Sequence, residues 1–304
     1  MSRTGAAPSR HVELWVEARH GRPAVNPVVA ELLAQVSATG TRVSVRVPEL
    51  DLVGSRPGAP PDAVLLKTAG TLALSLAVAQ EGAGVVFLNS AAATVAANDK
   101  AAVVARLRAA GLPVPTTYLV APGQDPATPR PDPTPATSGD PADRAAATGR
   151  AAHWVTKPVL GWHGGGVQVQ PGLDRALDAA RTQPREPGWV VDDGTRLVQR
   201  RVGGDESDLK VYVAGSEAFA ARKSFAPGSY ASNDVAPVDL GPVETDIVLG
   251  AGEVLGLQVF GVDLRHDEGR PTVIDVNPFP GFRGFPAAVA ALRSQLARAC
   301  PGLA

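Results

Sequence analysis

The chain has 304 residues, a formal net charge of −1 at pH 7 and a hydrophobic fraction of 44%. Its length suggests about two domains, and its near-neutral charge argues against a nucleic-acid surface, because phosphate binding requires a concentrated basic field. Cys300 is the only cysteine, which excludes an intrachain disulfide and a multi-cysteine metal cage, and no segment reaches the roughly 18–20 apolar residues of a membrane span. We therefore expect a cytoplasmic protein without a membrane or nucleic-acid partner.

The first third of the chain alternates strand-like and helix-like segments. A polar tail at residues 1–10, which we expect to be disordered, precedes them. The segments predicted in chain order are strand 11–18, helix 25–38, strands 43–49 and 63–67, helix 70–81 and strand 85–89. Asn98 and Asp99 then signal the start of a helix that stops at Gly111. Alternating strands and helices predict a mainly parallel sheet in an N-terminal α/β domain, residues 11–98.

The rest of the chain predicts antiparallel structure interrupted by one insertion. Residues 121–150 are rich in Pro, Ala and Thr and lack apolar periodicity, so we expect them to be a flexible insertion without a role in chemistry. The predicted elements that follow are strands 153–159 and 164–170, helix 172–183, strands 196–202, 208–215 and 217–224, helix 243–256, strands 259–267 and 272–277, and helix 287–300. Closely spaced strands of this kind predict an α+β body.

Two polar side chains interrupt the apolar strand at 272–277. Asp275 and Asn277 are two positions apart, so both point to the same face of that strand. A hairpin between 260–265 and 272–277 brings Asp263 beside them. Two carboxylates and a carboxamide suit Mg²⁺, which takes its remaining ligands from water and nucleotide phosphates. The alternative is a structural pair of buried carboxylates satisfied by Arg265 or Arg283.

A lysine and a glycine-rich turn occur together in KPVLGWHGGGVQV. The turn lacks the Lys-Ser/Thr that follows a P-loop, and a strand follows it in place of a helix. A hairpin with Lys157 on one strand and Gly164, Gly165 and Gly166 in its loop can instead fold its amide groups over a phosphate chain. The alternative is an ordinary glycine-rich hairpin with an exposed lysine.

These motifs occur in a recognisable order along the chain. Asp99-Lys100 opens a helix, and Lys157 with its glycine loop, LVQRRV, DLKVYVAG, ARKS and GVD…VIDVNPFPG follow. In this order the chain resembles the ATP-grasp superfamily, most closely its RimK-like amino-acid ligases, over roughly residues 85–290. The resemblance implies that the N-terminal α/β domain is followed by an ATP-grasp region at 99–304. In that region a lid subdomain, about 113–202, and a metal-binding subdomain, about 203–304, would clasp ATP between them.

The resemblance also implies roles for individual residues. Lys100 and Lys157 would bind the nucleotide phosphates, and Gly164, Gly165 and Gly166 would form the lid loop. The hinge whose backbone meets adenine would consist of Gln199, Arg200, Arg201 and Val202. Asp208 would lie near the ribose with Lys210 in the same strand, Arg222 would steady the transferring phosphoryl group, and the metal, Mg²⁺ or Mn²⁺, would be held by Asp263, Asp275 and Asn277. The chain departs from the family at Arg200, where many relatives have an acid, and at Asp275, where Glu is usual.

The activity implied is an ATP- and Mg²⁺-dependent ligation of a carboxylate to an amine. The product would be an amide or peptide bond formed through an acylphosphate, the substrates would be small molecules or peptides, and the enzyme could be a homo-oligomer. Two alternatives stay open. One is a small-molecule kinase resembling inositol trisphosphate 5/6-kinases, although residues 1–98 hold eight basic and seven acidic side chains, which is not typical of a polyanion site. The other is a catalytically inactive nucleotide-binding module.

Overall fold

The computed structural model of the chain describes residues 10–19, 22–23, 25–51, 59–125, 153–161, 165–185, 192–203, 207–224, 235–267 and 269–303. Most of the predicted N-terminal tail, the predicted insertion beyond residue 125, and Gly164 lie outside these residues. Among the described helices, none combines the length and apolar character needed to cross a membrane.

The N-terminal part forms a four-stranded parallel sheet, as its strand–helix alternation predicts. Its strand order is β4-β1-β5-β6, and every residue of the central strand β1 is buried. Helix α1 begins where the Asn26 side chain accepts a hydrogen bond from the amide of Val29 at 3.1 Å. The elements are β1 (His11–Val16), a short hairpin of β2 (Ala18–Arg19) and β3 (Arg22–Pro23), α1 (Pro27–Ala38), β4 (Arg42–Arg46), β5 (Ala63–Lys67), α2 (Thr71–Gly82) and β6 (Val86–Leu88).

The middle of the chain forms a smaller antiparallel sheet, which we call the lid sheet. Its strand order is β7-β10-β8-β9, and it packs on one helix through a separate apolar core that includes Trp154, Leu177 and Val198. Two helices precede it, α3 (Ala91–Asn98) and α4 (Lys100–Ala109). The lid elements are β7 (Thr117–Val120), β8 (His153–Pro158), β9 (Gln168–Pro171), α5 (Leu173–Thr182) and β10 (Arg196–Arg200).

The C-terminal part forms a five-stranded antiparallel sheet of order β13-β12-β11-β14-β15. One face of this sheet packs on α4 and on the helix before β14, through residues such as Val211, Val262 and Leu107. The elements are β11 (Ser207–Ala214), β12 (Glu217–Ser224), β13 (Val235–Val238), α6 (Pro242–Leu255), β14 (Val259–Asp267), β15 (Arg270–Pro278) and α7 (Ala288–Ala299). The opposite face is left for the side chains described below.

The N-terminal sheet and the C-terminal sheet share one apolar core. Leu14 and Leu32 from the N-terminal part pack in the same cluster as Val259, Phe282 and Leu292. The sequence prediction of a parallel sheet followed by antiparallel sheets is confirmed, whereas α3, β7 and β13 were not predicted and β4 ends earlier than the predicted strand 43–49.

Candidate active site

Four residues form a rung across the open face of the C-terminal sheet, which we call the acidic rung. Asp275 lies opposite Asp263, Asp263 lies opposite Lys210, and Lys210 lies opposite Ala221. Residues directly opposite each other on neighbouring strands share a face. The predicted hairpin that brings Asp263 beside Asp275 is therefore confirmed.

A β-bulge re-aims the polar residues of β15. The register shifts between Asp263 and Leu264, so that Leu264 pairs with Val273 and Ile274 is the extra residue. Val273 and Val276, three positions apart, are both buried in the core, while Asp275 lies opposite Asp263 on the open face. The bulge thus explains how a strand with an apolar core face also presents a carboxylate to the site.

A lysine and a side-chain amide each contact one of the two facing carboxylates. The Lys210 ammonium group is in direct contact with Asp263, and the Asn277 amide nitrogen donates to Asp275 at 3.4 Å. Burial lowers the pKa of Lys210, but the contact with Asp263 raises it by more, so this pKa lies above its usual value. Lys210 therefore stays charged beside the acids at neutral pH.

The donor set of this group fits magnesium. Within the described residues, no three His, Cys, Asp or Glu side chains come together as a complete metal site. Asp263, Asp275 and Asn277 nevertheless supply three oxygen-bearing side chains on adjoining positions of one hairpin. Mg²⁺ commonly takes only one or two carboxylates from a protein and completes its shell with water and substrate phosphates. The residues present are sufficient for that mode of binding.

The two lysines predicted to bind phosphate lie at the β15 edge of this group. Lys157 donates to the carbonyl of Ile274 at 2.9 Å, and the Lys100 ammonium contacts the carbonyl of Gly161. Lys100, Lys157 and Asp275 line one small cavity together. Burial lowers the pKa of Lys157, Asp275 opposes that shift, and Lys100 adds to it. The structure thus brings both lysines and Asp275 together.

A second pair of charged residues lies on the other side of the acidic rung. Asp208 is in a buried ion pair with Arg265 and lies opposite Lys223. Burial raises the pKa of Asp208 despite the opposing effect of Arg265. Burial also lowers the pKa of Lys223, and the negative charge of Asp263 partly opposes that shift. Asp208 and Lys223 therefore extend the same charged face.

Arg222 does not share this face, contrary to what its predicted role requires. It lies opposite Leu209, whose side chain belongs to the apolar core on the other side of the sheet, and it is exposed. Its guanidinium group donates to the hydroxyl of Ser207 at 3.4 Å. The cation that faces Asp263 from this strand is Lys223, which the sequence reasoning missed. The sequence could have indicated Lys223, because the two-residue turn Gly215–Ser216 fixes a hairpin register in which Asp208 lies opposite Lys223.

The predicted hinge, at the end of β10 in the lid sheet, contacts the end of β14. Arg200 forms an ion pair with Asp267, and the Arg201 amide donates to the carbonyl of His153 at 2.9 Å. Gln199 is buried and donates to the hydroxyl of Thr117 at 3.0 Å, and Val202 is also buried. The side chains of Gln199 and Arg200 and the backbone amides of Arg200 and Arg201 are therefore all engaged within the protein.

The glycine loop is described only at its C-terminal end. Gly165 and Gly166 form a turn before β9, and Gly166 has a φ of 66°. The Gly166 carbonyl accepts a hydrogen bond from the side chain of Gln183, after the end of α5. This end of the loop is thus anchored to the lid sheet and its helix.

The turn after β15 ties the acidic rung to the N-terminal sheet. Phe279 and Phe282 have φ values of 49° and 50°, a left-handed conformation that is uncommon for bulky residues, and both are buried in the shared core. Lys67, at the end of β5, donates to the carbonyl of Phe279 at 3.0 Å. Surrounding packing and this contact, which the sequence reasoning also missed, hold the strained turn in place.

Comparisons with known proteins agree with this architecture. No family model matches the chain. Over 140 residues it is 31% identical to a probable alpha-L-glutamate ligase 2 of Hahella chejuensis, and the match covers 44% of each chain, so it spans less than half the length of that relative. A RimK domain ATP-grasp protein from Sphaerobacter thermophilus superposes with a TM-score of 0.66 at 17% identity, over 96% of this chain and 100% of that one.

A second solved structure resembles the chain along nearly its whole length. The ATP-grasp ligase PsnB, solved with a minimal precursor, Mg and ADP, gives a TM-score of 0.57 at 18% identity, over 93% of this chain and 97% of that one. At these identities the likeness concerns the fold. It confirms the fold that the order of motifs predicts.

Proposed function

Because the chain has the ATP-grasp fold, we propose that it is an ATP- and Mg²⁺-dependent carboxylate–amine ligase that forms an amide or peptide bond through an acylphosphate. The observation that carries this proposal is the acidic rung, which contains Lys210, with Lys100 and Lys157 at its β15 edge and Lys223 nearby on β12. The similarity to a probable alpha-L-glutamate ligase supports an acid and an amine as the substrates.

The chemistry begins with a carboxylate that cannot accept an amine directly, because its leaving group would be oxide. Transfer of the γ-phosphoryl group of ATP makes that oxygen a phosphate, which leaves readily when the amine attacks the carbonyl. This transfer brings an anionic acid against a polyphosphate. Cations positioned before the reaction lower that electrostatic cost as charge spreads over the phosphoryl oxygens.

Each charged side chain has a defined task in this scheme. Lys157 and Lys100 bind the phosphate chain from the β15 edge, and Lys223 approaches the transferring group from β12. Lys210 keeps Asp263 oriented through their ion pair. Asp263, Asp275 and Asn277 would hold the metal. When bound, Mg²⁺, or Mn²⁺ in its place, supplies positive charge to the phosphate oxygens.

The hinge and the lid sheet complete the nucleotide site in this proposal. Side chains of Gln199 and Arg200 are occupied by Thr117 and Asp267, and the Arg201 amide by His153, so the Arg201 carbonyl and the Val202 backbone would meet the base. Asp208, paired with Arg265, lies between this hinge and the acidic rung, where a ribose would pass. The glycine loop, including Gly164, would cover the phosphates and limit hydrolysis of the acylphosphate.

Hydroxylamine trapping tests the proposal. The purified chain is incubated with ATP, Mg²⁺ and a panel of the twenty common L-amino acids and their N-acetyl derivatives, with hydroxylamine as the amine. The proposal predicts that ADP, phosphate and an acyl hydroxamate appear together and require the acid. ADP formation coupled to a phosphorylated alcohol would select a kinase, and ADP formation without any acid dependence would contradict a ligase.

A further inference from the structure

Tyr212 lies next to the acidic rung on the same face of the sheet. On β11 it follows Lys210 by two positions, and it lies opposite Gly261 on β14 and Phe219 on β12. Only 4% of Tyr212 is exposed. Its ring packs on Phe282 and Phe285, with ring centroids 5.5 Å and 5.8 Å away. This position joins an aromatic cluster to the charged face.

Packing of the ring accounts for an aromatic residue at position 212 but not for its hydroxyl group. Within the part of the chain that the structure describes, it makes no hydrogen bond, and it is not among the fully buried polar atoms that lack a partner, so the oxygen itself is accessible although the residue is buried. A phenylalanine would fill the aromatic cluster equally well. Lys210, Asp263 and Arg283 all act electrostatically on the hydroxyl, so it lies at the border between that cluster and the charged residues.

The order of groups along this face indicates what would meet the hydroxyl. The hinge contacts the far end of β14 at Asp267, the Asp208–Arg265 pair follows, and then comes the acidic rung. Tyr212 is next, on the side where the turn after β15 meets the N-terminal sheet. If the base lies at the hinge and the phosphates lie at the acidic rung, the group beyond the terminal phosphate lies beside Tyr212. In a ligase, that group is the carboxylate that receives the phosphoryl group.

We propose that the Tyr212 hydroxyl donates a hydrogen bond to the carboxylate of the acid substrate and holds it against the acidic rung for phosphoryl transfer. This inference rests on the ligase function proposed above. Burial raises the pKa of Tyr212, with a smaller contribution from Asp263 and opposing effects of Lys210 and Arg283, so the hydroxyl keeps its proton at neutral pH. Tyr212 is therefore a donor, and a carboxylate oxygen is the acceptor that suits it.

The test is Tyr212→Phe in the hydroxylamine assay, using whichever acid of the amino-acid panel gives the most hydroxamate with the unchanged protein. A hydrogen bond to a charged group contributes enough to predict a rise of about tenfold or more in the KM for that acid, with the KM for ATP unchanged. Tyr118→Phe is the matched control, because Tyr118 packs against Trp154 in the lid sheet, away from the acidic rung. It should leave both KM values unchanged.

The possible outcomes separate this inference from the ligase function. An unchanged KM for the acid in Tyr212→Phe, with hydroxamate still formed, would overturn the role of Tyr212 and leave the ligase intact. An equal rise in the KM for ATP would also overturn it, since the hydroxyl would then serve the nucleotide. A lower melting temperature with unchanged kinetics would show a purely structural role. If the unchanged protein formed no hydroxamate with any acid, the ligase proposal and this inference would both be contradicted.

Discussion

Lys223 and Arg222 are neighbours in sequence but lie on opposite faces of β12. The motif ARKS is enough to predict that a cation from this strand enters the site, but motif order alone does not decide which one. That choice depends on the register of the hairpin, because a shift of one residue moves every side chain to the other face of the sheet. Asp263, Asp275 and Asn277 could be placed together from sequence since two of them are two positions apart on one strand and the third lies on the adjacent hairpin strand.

We predict that Lys223→Met lowers kcat for hydroxamate formation about 100-fold, the usual effect of removing one group that stabilises developing charge. Arg222→Met should change kcat less than about twofold, because its exposed side chain faces away from the acids. Steady-state kinetics of both variants at saturating ATP measures the difference. A large loss for Arg222→Met with normal activity of Lys223→Met would restore the role that the sequence assigned to Arg222.

Lys157 should make stability depend on pH. Its pKa is lowered by burial, so the folded state binds this proton less readily than the unfolded state. The stability of the ligand-free protein relative to Lys157→Met should therefore rise as pH increases from the lowered folded-state pKa towards the ordinary lysine value of 10.5. Urea unfolding of both proteins at pH 7 and at alkaline pH measures this difference. If the stability of the unchanged protein minus that of Lys157→Met stayed constant or fell as pH rises, the lowered pKa of Lys157 would be contradicted.

Among the elements, those with strong periodicity could be predicted and those without it could not. Helix α3 has small apolar residues at its exposed as well as its buried positions, so its sequence shows little apolar periodicity. Strand β7 has four residues and is only partly buried, and β13 contains Pro237, which a strand tolerates at the edge of a sheet. Strand β4 ends before Pro48, where a short 3₁₀ helix begins. The formation of α3, β7 and β13 therefore depends on tertiary packing more than on the local sequence.

Asn89 joins two of the elements, at the junction between β6 and α3. Its buried side chain accepts from the amides of Gln258 and Val259, both at 2.8 Å, and donates to the carbonyl of Val259 at 2.7 Å. It thereby attaches the N-terminal sheet to the start of β14. Sequence could not reveal this contact, because the two segments are about 170 residues apart.

We predict that Asn89→Ala lowers the free energy of unfolding by about 3 kcal/mol, because the amides of Gln258 and Val259 lose this partner and the Val259 carbonyl keeps only the Phe279 amide. Asn98→Ala is the matched control, since the Asn98 amide makes one hydrogen bond, to the carbonyl of Thr94 in its own helix. Its loss should cost about 1 kcal/mol or less. Equilibrium urea unfolding of the two variants compares them, and equal losses would contradict a clamp at Asn89.

At the scale of the whole molecule, the described residues form four separate apolar cores, and the lid sheet has one of them to itself. The large core joins the N-terminal sheet, α7 and the turn after β15, while the lid sheet has its own small core. The order of motifs predicts an ATP-grasp fold, but it does not reveal which parts share a core, because those contacts join residues distant in sequence.

Leu14→Ala and Leu177→Ala should therefore affect different parts of the molecule. Leu14 is fully buried in the large core, and a cavity there typically costs about 2–5 kcal/mol. Hydrogen exchange should become faster in β1, β11 and α7 together. Leu177→Ala, in the lid core, should increase exchange in β8, β10 and α5 alone. If Leu177→Ala accelerated exchange equally throughout the chain, the two cores would not be independent.

Binding of Mg²⁺ and ADP to the acidic rung tests the central claim most directly. Isothermal titration of ADP with Mg²⁺ present should show binding by the unchanged protein and a loss when EDTA removes the metal. Asp275→Asn, which keeps the shape of the side chain, should weaken binding at least about tenfold, as expected for the loss of one anionic metal ligand. Asp246→Asn, at an exposed position of α6, should leave binding unchanged. Equal affinity in Asp275→Asn and the unchanged protein would contradict the assignment of this group as the metal and phosphate site.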